Sequence, residues 1–96
     1  MPKKDEVTRC ALCGREPVGD EYPRAVCPRC DALALNDAAR PAEARPDEGD
    51  GDNPVYIEGT QCWRQYYHGG WVTMVDRDNC RDFHEFCRRS GLPDPP

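Results

Sequence analysis

The chain is short of large apolar side chains. Its 96 residues include two phenylalanines, two tryptophans and two methionines, set against ten prolines and eight glycines. So few bulky groups make only a small interior, and small chains bury proportionally less surface than large ones. No continuous apolar run approaches the roughly eighteen residues of a membrane span. Positive charge is also scarce: 13 Lys and Arg face 18 Asp and Glu, for a net charge of −5. That balance argues against broad, nonspecific affinity for nucleic acid, which needs many cationic contacts to phosphate, while leaving room for a local basic patch. The opening Met-Pro-Lys-Lys-Asp-Glu is not followed by the apolar stretch of a signal peptide, so a reducing, cytoplasmic setting is expected.

Cysteine is what the chain has in excess. Seven are present, four of them as Cys10-Ala-Leu-Cys13 and Cys27-Pro-Arg-Cys30, with thirteen residues between the pairs. A Cys-x-x-Cys knuckle turns both sulfurs into one space, and two knuckles supply four thiolates for a tetrahedral zinc ion. Gly14 follows the first knuckle, where a residue tolerant of positive φ is favoured. The rivals are two disulfides or a redox dithiol. An odd cysteine count in a reducing compartment weighs against the first, and two pairs at zinc spacing weigh against the second. A closed four-sulfur site leaves no coordination position for substrate, so the zinc is expected to be structural. Metal binding of this kind contributes about 10 kcal/mol or more to the folding of small zinc modules.

The order along residues 9–40 is knuckle, short proline-rich hairpin, knuckle, then the Ala- and Leu-rich stretch from Arg29 to Arg40, which reads as a helix stopped by Pro41. This order resembles a treble-clef zinc finger. More narrowly, Cys10-Ala-Leu-Cys13-Gly14 and Val26-Cys27-Pro-Arg-Cys30-Asp-Ala-Leu33, followed by Asn36-Asp37, are similar to the zinc-binding domain at the front of Clp-type protein unfoldases. The resemblance covers about thirty residues. It implies Cys10, Cys13, Cys27 and Cys30 as metal ligands in a dimerising, adaptor- and substrate-binding module that is not itself an enzyme.

Residues 1–8 read as a flexible start and 93–96 as a tail. Residues 41–54 carry five acids against one Arg and no large apolar side chain, the composition of an acidic linker or loop. Residues 55–92 change character. Val55–Ile57, Thr60–Tyr67 and Trp71–Val75 are β-branched and aromatic, cut by glycine turns at Glu58-Gly59 and His68-Gly-Gly70. They read as a three-stranded antiparallel meander. Asp78 to Ser90 reads as a helix capped by Asp78 or Asn79 and stopped at Gly91, with Cys80, Phe83, His84 and Cys87 as its buried stripe. The expected fold is therefore a small α+β zinc protein: a treble-clef-like finger, then the meander and a C-terminal helix. Each half is near or below the size that folds unaided, so the two are expected to dock.

Three further groups of residues are candidates for function. A second metal site drawn from Cys62, His68, Cys80 and His84 is conceivable. Cys80 and Cys87 cannot share one ion, because they lie about 10 Å apart along a regular helix, whereas zinc-bound donors approach within about 4 Å of one another. The bland alternative is that the cysteines are small buried apolar residues. Trp63, Tyr66, Tyr67 and Trp71, with Arg64, are either the core of the second half or an exposed contact surface. Arg64, Arg77, Arg81, Arg88 and Arg89 form a basic stripe that interleaved acids dilute. There is no Gly-rich phosphate loop, no Gly-x-Ser-x-Gly and no histidine in the finger to support His-Asn-His nuclease chemistry. The leading expectation is a noncatalytic zinc-binding interaction module or small regulator with a protein partner. The alternatives are a nucleic-acid-binding zinc finger, a small virus-encoded inhibitor of a host protein and, third, a metal-dependent hydrolase.

Overall fold

The structure is a computed structural model that describes residues 8–45 and 47–93. Apart from Thr8 and Pro93, the expected flexible start and tail lie outside the described residues. Seven elements follow in order: α1 (Pro28–Asp31), β1 (Ala44–Arg45), β2 (Asp50–Gly51), β3 (Val55–Ile57), β4 (Thr60–Tyr67), β5 (Gly70–Val75) and α2 (Phe83–Ser90).

The antiparallel meander is the centre of the fold, in the order β3-β4-β5. Val55 pairs with Cys62, and Trp63 with Met74. Glu58 and Gly59 join β3 to β4 with φ of 50° and 83°. Two consecutive positive φ values define a type I′ turn, whose twist suits a two-residue hairpin. Alternation along β4 sends Cys62 and Trp63 to opposite faces. On one face, Cys62, Val55, Ile57 and Val75 share a buried cluster with Cys10, Val26, Cys27 and Ala34 of the cysteine-bearing segment 9–40, called the finger below for its place in the chain. On the other, Trp63 and Met74 pack with Cys80 and Phe86, and α2 covers them. The sheet is thus a middle layer with the finger on one side and α2 on the other.

The finger also holds both sheet edges. Leu35 and Tyr56 exchange main-chain hydrogen bonds of 2.8 Å in each direction along β3. Val26 donates to Thr73 at 2.8 Å, and Val75 donates to Arg24 at 3.0 Å, along β5.

This edge pairing corrects the helix expected from Arg29 to Arg40. The helix ends at Asp31 after a single turn. Leu35 is extended against Tyr56. The Asn36 side chain then accepts from the amides of Ala38 (2.9 Å) and Arg40 (3.1 Å), with Ala39 at φ 60°. Ala and Leu favour helix by tenths of a kcal/mol per residue, less than a buried edge that recruits a missing strand.

Within the acidic stretch 41–54, expected as a linker or loop, Ala44–Arg45 and Asp50–Gly51 pair as a short hairpin, β1–β2. It lies against β4: the Tyr66 hydroxyl donates to the Asp52 carbonyl at 2.6 Å, and Asn53 exchanges two hydrogen bonds of 2.8 Å with the Arg64 main chain. A Cβ on Gly51 would stand 2.5 Å from the Tyr66 ring and 2.6 Å from the Glu43 carbonyl oxygen, so only glycine fits there.

The C-terminal helix begins at Phe83, later than expected, and its cap is Asp82. Asp82 Oδ1 accepts from the Glu85 amide at 2.8 Å, while Glu85 Oε1 accepts from the Arg81 amide at 2.8 Å. Asp78 and Asn79 do not cap it, because the Asp76 carboxylate has already drawn in the amides of Asp78 and Cys80, both at 2.8 Å. Cys80 therefore precedes the helix, and the buried helical residues are Phe86 and Cys87. His84 is exposed, a correction to the expected stripe. Gly91, in the left-handed region at φ 76°, ends the helix where expected.

Candidate metal centre

Cys10 and Cys13 stand on a turn closed by the Gly14 amide on the Cys10 carbonyl (2.9 Å), with Gly14 at φ 67°. Cys27 is the N-cap of α1 and Cys30 lies within it. The bridge between Arg9 and Pro17 brings the intervening chain back on itself. These two turns bring all four sulfurs together. Their separations are 3.7–3.8 Å, with Cys13 Sγ and Cys27 Sγ at 3.8 Å. A tetrahedron with metal–sulfur bonds of about 2.3 Å has edges of about 3.8 Å, so the four sulfurs already mark out the corners of a metal-sized cage. No disulfide joins any of the seven cysteines.

Main-chain amides point at the sulfurs. Leu12 and Cys27 donate to Cys10 Sγ at 3.4 and 3.3 Å, and Arg15 donates to Cys13 Sγ at 3.5 Å. Burial pushes the Cys10 thiol up, but amides from Cys13, Cys27 and Leu12 outweigh it and bring it to about 6. Cys13 is also lowered, by the amides of Glu16 and Arg15. Cys30 moves the other way, to about 12, through burial and then through the neighbouring sulfurs of Cys27, Cys10 and Cys13. Thiolates this close repel, so ionising all four requires a cation among them. Soft sulfur donors in a tetrahedron suit zinc or iron. Cys10 and Cys27 are buried, Cys30 is partly covered and Cys13 is exposed, so the cage opens to solvent at one corner.

The second set of candidate ligands is not assembled. Cys62 is buried beneath the finger, with its thiol raised to about 12 by burial. Cys80 lies on the opposite face of the sheet. His68 sits in the β4–β5 turn, its Nδ1 2.8 Å from the Asp47 carbonyl oxygen, and His84 is exposed on α2. Among the described residues, the other convergent group is Asp76, Asp78 and Cys80. Asp76 is already satisfied: Oδ2 accepts from Gln61, Trp63 and Cys80, and Oδ1 from Asp78. Cys80 is held protonated, at about 11, by burial and by Asp76.

The candidate interface residues divide. Trp63 is core, 4 % exposed, packed on Phe83 and Phe86. Arg64 is core too, 3 % exposed, with its guanidinium 2.9 Å from Asp31. Both are corrections to an exposed contact role. Tyr66 and Trp71 are half-buried, and Tyr67 is 49 % exposed.

Asp31 is the residue that sequence reasoning missed. Besides Arg64, it accepts from Thr73 Oγ1 (2.5 Å) and Trp71 Nε1 (2.9 Å). It immediately follows Cys30, so the last ligand of the cage is tied to β4 and β5 through its neighbour. The available clue was Arg64 at an inward position of β4, where a buried cation demands an acid.

No family model matches the chain, and no curated protein or solved structure matches it either. No helix among the described residues is long and apolar enough to cross a membrane.

Proposed function

We propose that this chain is a noncatalytic, zinc-binding interaction module whose partner is another protein. The observation that carries the reading is the closed set of four sulfurs at tetrahedral spacing, built into the core that finger and sheet share. With every coordination position taken by cysteine, the ion serves the fold. We read the finger as a reduced treble clef, with a single helical turn, Pro28–Asp31, that contains the second knuckle. The likeness to Clp-type domains is confined to the cysteine frame and brings no partner with it. The nucleic-acid alternative is weakened because Arg64, next to the aromatics, is neutralised by Asp31. A cytoplasmic setting accords with thiolates kept reduced for metal.

Elemental analysis of the purified chain tests the metal, and affinity capture from the native cell tests the partner. The expected result is one zinc per chain and a protein that stays bound after nuclease treatment. A second bound metal, or capture that nuclease abolishes, overturns the reading.

A further inference from the structure

The outer edge of β5 is closed along only part of its length. Residues 24–26 pair with it around Met74, and Arg24 Nε also donates to the Val75 carbonyl at 2.9 Å. The chain then leaves the edge at Pro28 and enters α1. Alternate residues of a strand turn their main-chain groups to the same side. Thr73 faces its carbonyl outward, to Val26, so Trp71 also faces its N–H and C=O away from β4. No described residue pairs with them. The opposite edge has no such gap, because Tyr56 exchanges both of its outward bonds with Leu35.

Two adjoining concavities of about 270 and 260 Å³ flank this open stretch and share Val26, Pro28, Tyr67, Trp71 and Val72. Their charged lining is acidic: Glu21, exposed, and Asp31, already committed to Arg64. The tip of the β1–β2 hairpin, with exposed Asp47 and Glu48, reaches the β4–β5 turn, where Gly49 lies against the Tyr67–His68 main chain. The cations nearby are already paired or turned elsewhere: Arg64 lies 5.3 Å over the Trp71 ring but is bound to Asp31, Arg24 donates to Val75 and Ser90, and Arg29 is 3.8 Å from Glu16.

We propose that this half-open edge takes a short, extended, basic segment of a partner protein as an added strand. The inference rests on the interaction-module reading and names the mode and chemistry of the contact. Trp71 supplies one main-chain donor and one acceptor. Aromatic and aliphatic walls receive alternate side chains, and the carboxylates receive Lys or Arg. A nucleic acid cannot use the strand pairing and meets carboxylates where its phosphates would lie.

The test is an amide NMR titration of the zinc-loaded full chain with a capped peptide of alternating arginine and valine. Three controls accompany it: the same peptide N-methylated along one edge, an alternating glutamate–valine peptide, and oligo-deoxythymidine. The expected result is shifts centred on Tyr67 and Gly70–Thr73, with binding weakened about tenfold by N-methylation and about tenfold by Tyr67→Ser. The acidic peptide should leave the spectrum unchanged. The N-methylated arm needs no variant, so it decides the matter even where Tyr67→Ser folds poorly. Equal binding of the N-methylated peptide, a preference for oligo-deoxythymidine, or no shift with up to about 1 mM basic peptide each overturns the inference. If one zinc per chain and a nuclease-resistant protein partner are found while the basic peptide gives nothing, strand addition alone falls.

Discussion

Asp31 and Arg64 form an ion pair at 2.9 Å that joins the turn bearing Cys27 and Cys30 to the middle of the sheet. Arg64 is 3 % exposed and Asp31 holds Trp71 and Thr73 as well, so both charges are satisfied where water is scarce. Removing one partner of such a pair strands the other. We expect Asp31→Ala to cost about 3–5 kcal/mol, measured by urea unfolding of the zinc-loaded protein. The double variant Asp31→Asn with Arg64→Met keeps an acceptor for Trp71 and Thr73 and removes the buried cation. It should be more stable than Arg64-containing Asp31→Ala by at least about 1 kcal/mol. Equal stability of the two would show that leaving the Arg64 cation unpaired costs little.

The helix cap gives a prediction with an internal control. Both Asp78 and Asp82 precede the helix, and only Asp82 accepts from one of its amides. Asp82→Ala should cost about 1 kcal/mol, whereas Asp78→Ala, which removes an exposed side chain, should stay within about 0.5 kcal/mol of the parent. Thermal or urea unfolding of the two variants decides it, and the reverse ranking would relocate the cap.

Those two residues also mark what the chain disclosed and what it did not. The meander was legible because its signals are local: β-branched and aromatic runs, and glycines where φ must be positive. The four sulfurs were legible because a knuckle is four residues long. What failed were decisions made at a distance. Leu35 gives up a helix for a bond to Tyr56, twenty-one residues on. Asp76 holds back the start of α2 from the end of β5. Arg64 looked like a surface cation because its acid, Asp31, stands in the finger, which local pattern does not connect to β4. Composition made 41–54 look solvated, and its fold depends on one carboxylate and one glycine, Asp52 and Gly51, meeting Glu43 and Tyr66.

Asp76 yields a statement about pH. Burial alone would raise its carboxyl, but donors from Trp63, Asp78, Gln61 and Cys80 hold it at about 2, below the ordinary 3.8. A depressed carboxyl stabilises the fold fully above its unfolded value and loses that contribution as pH falls through about 4 towards 2. Across pH 6 to 8 the contribution is therefore flat. Asp76→Asn, which turns an acceptor of four bonds into a mixed amide, should cost about 1–2 kcal/mol, by the same amount at pH 8 and pH 6. A penalty that shrinks markedly at pH 6 would mean that Asp76 titrates near neutrality and is not held as its geometry indicates.

The cage sits in the same buried cluster as Val55, Ile57 and Val75, so metal loss should not be confined to the finger. Without the cation, four sulfurs at 3.7–3.8 Å lose their common partner, and the residues that close both edges of the sheet lose their anchor. A structural zinc held by these sulfurs would contribute about 10–16 kcal/mol, against a total stability of about 5–15 kcal/mol for small domains. Chelation, or Cys27→Ser, should therefore abolish near-ultraviolet circular dichroism from Trp63, which lies across the sheet from the four sulfurs, as well as signals from the finger. Cys62→Ser and Cys80→Ser should destabilise without changing the metal count, because neither contributes to the cage. A chelated protein that retained its tryptophan signal and thermal midpoint would mean that the sheet and α2 stand without the finger, and the sulfurs would then be a passenger on an independent fold.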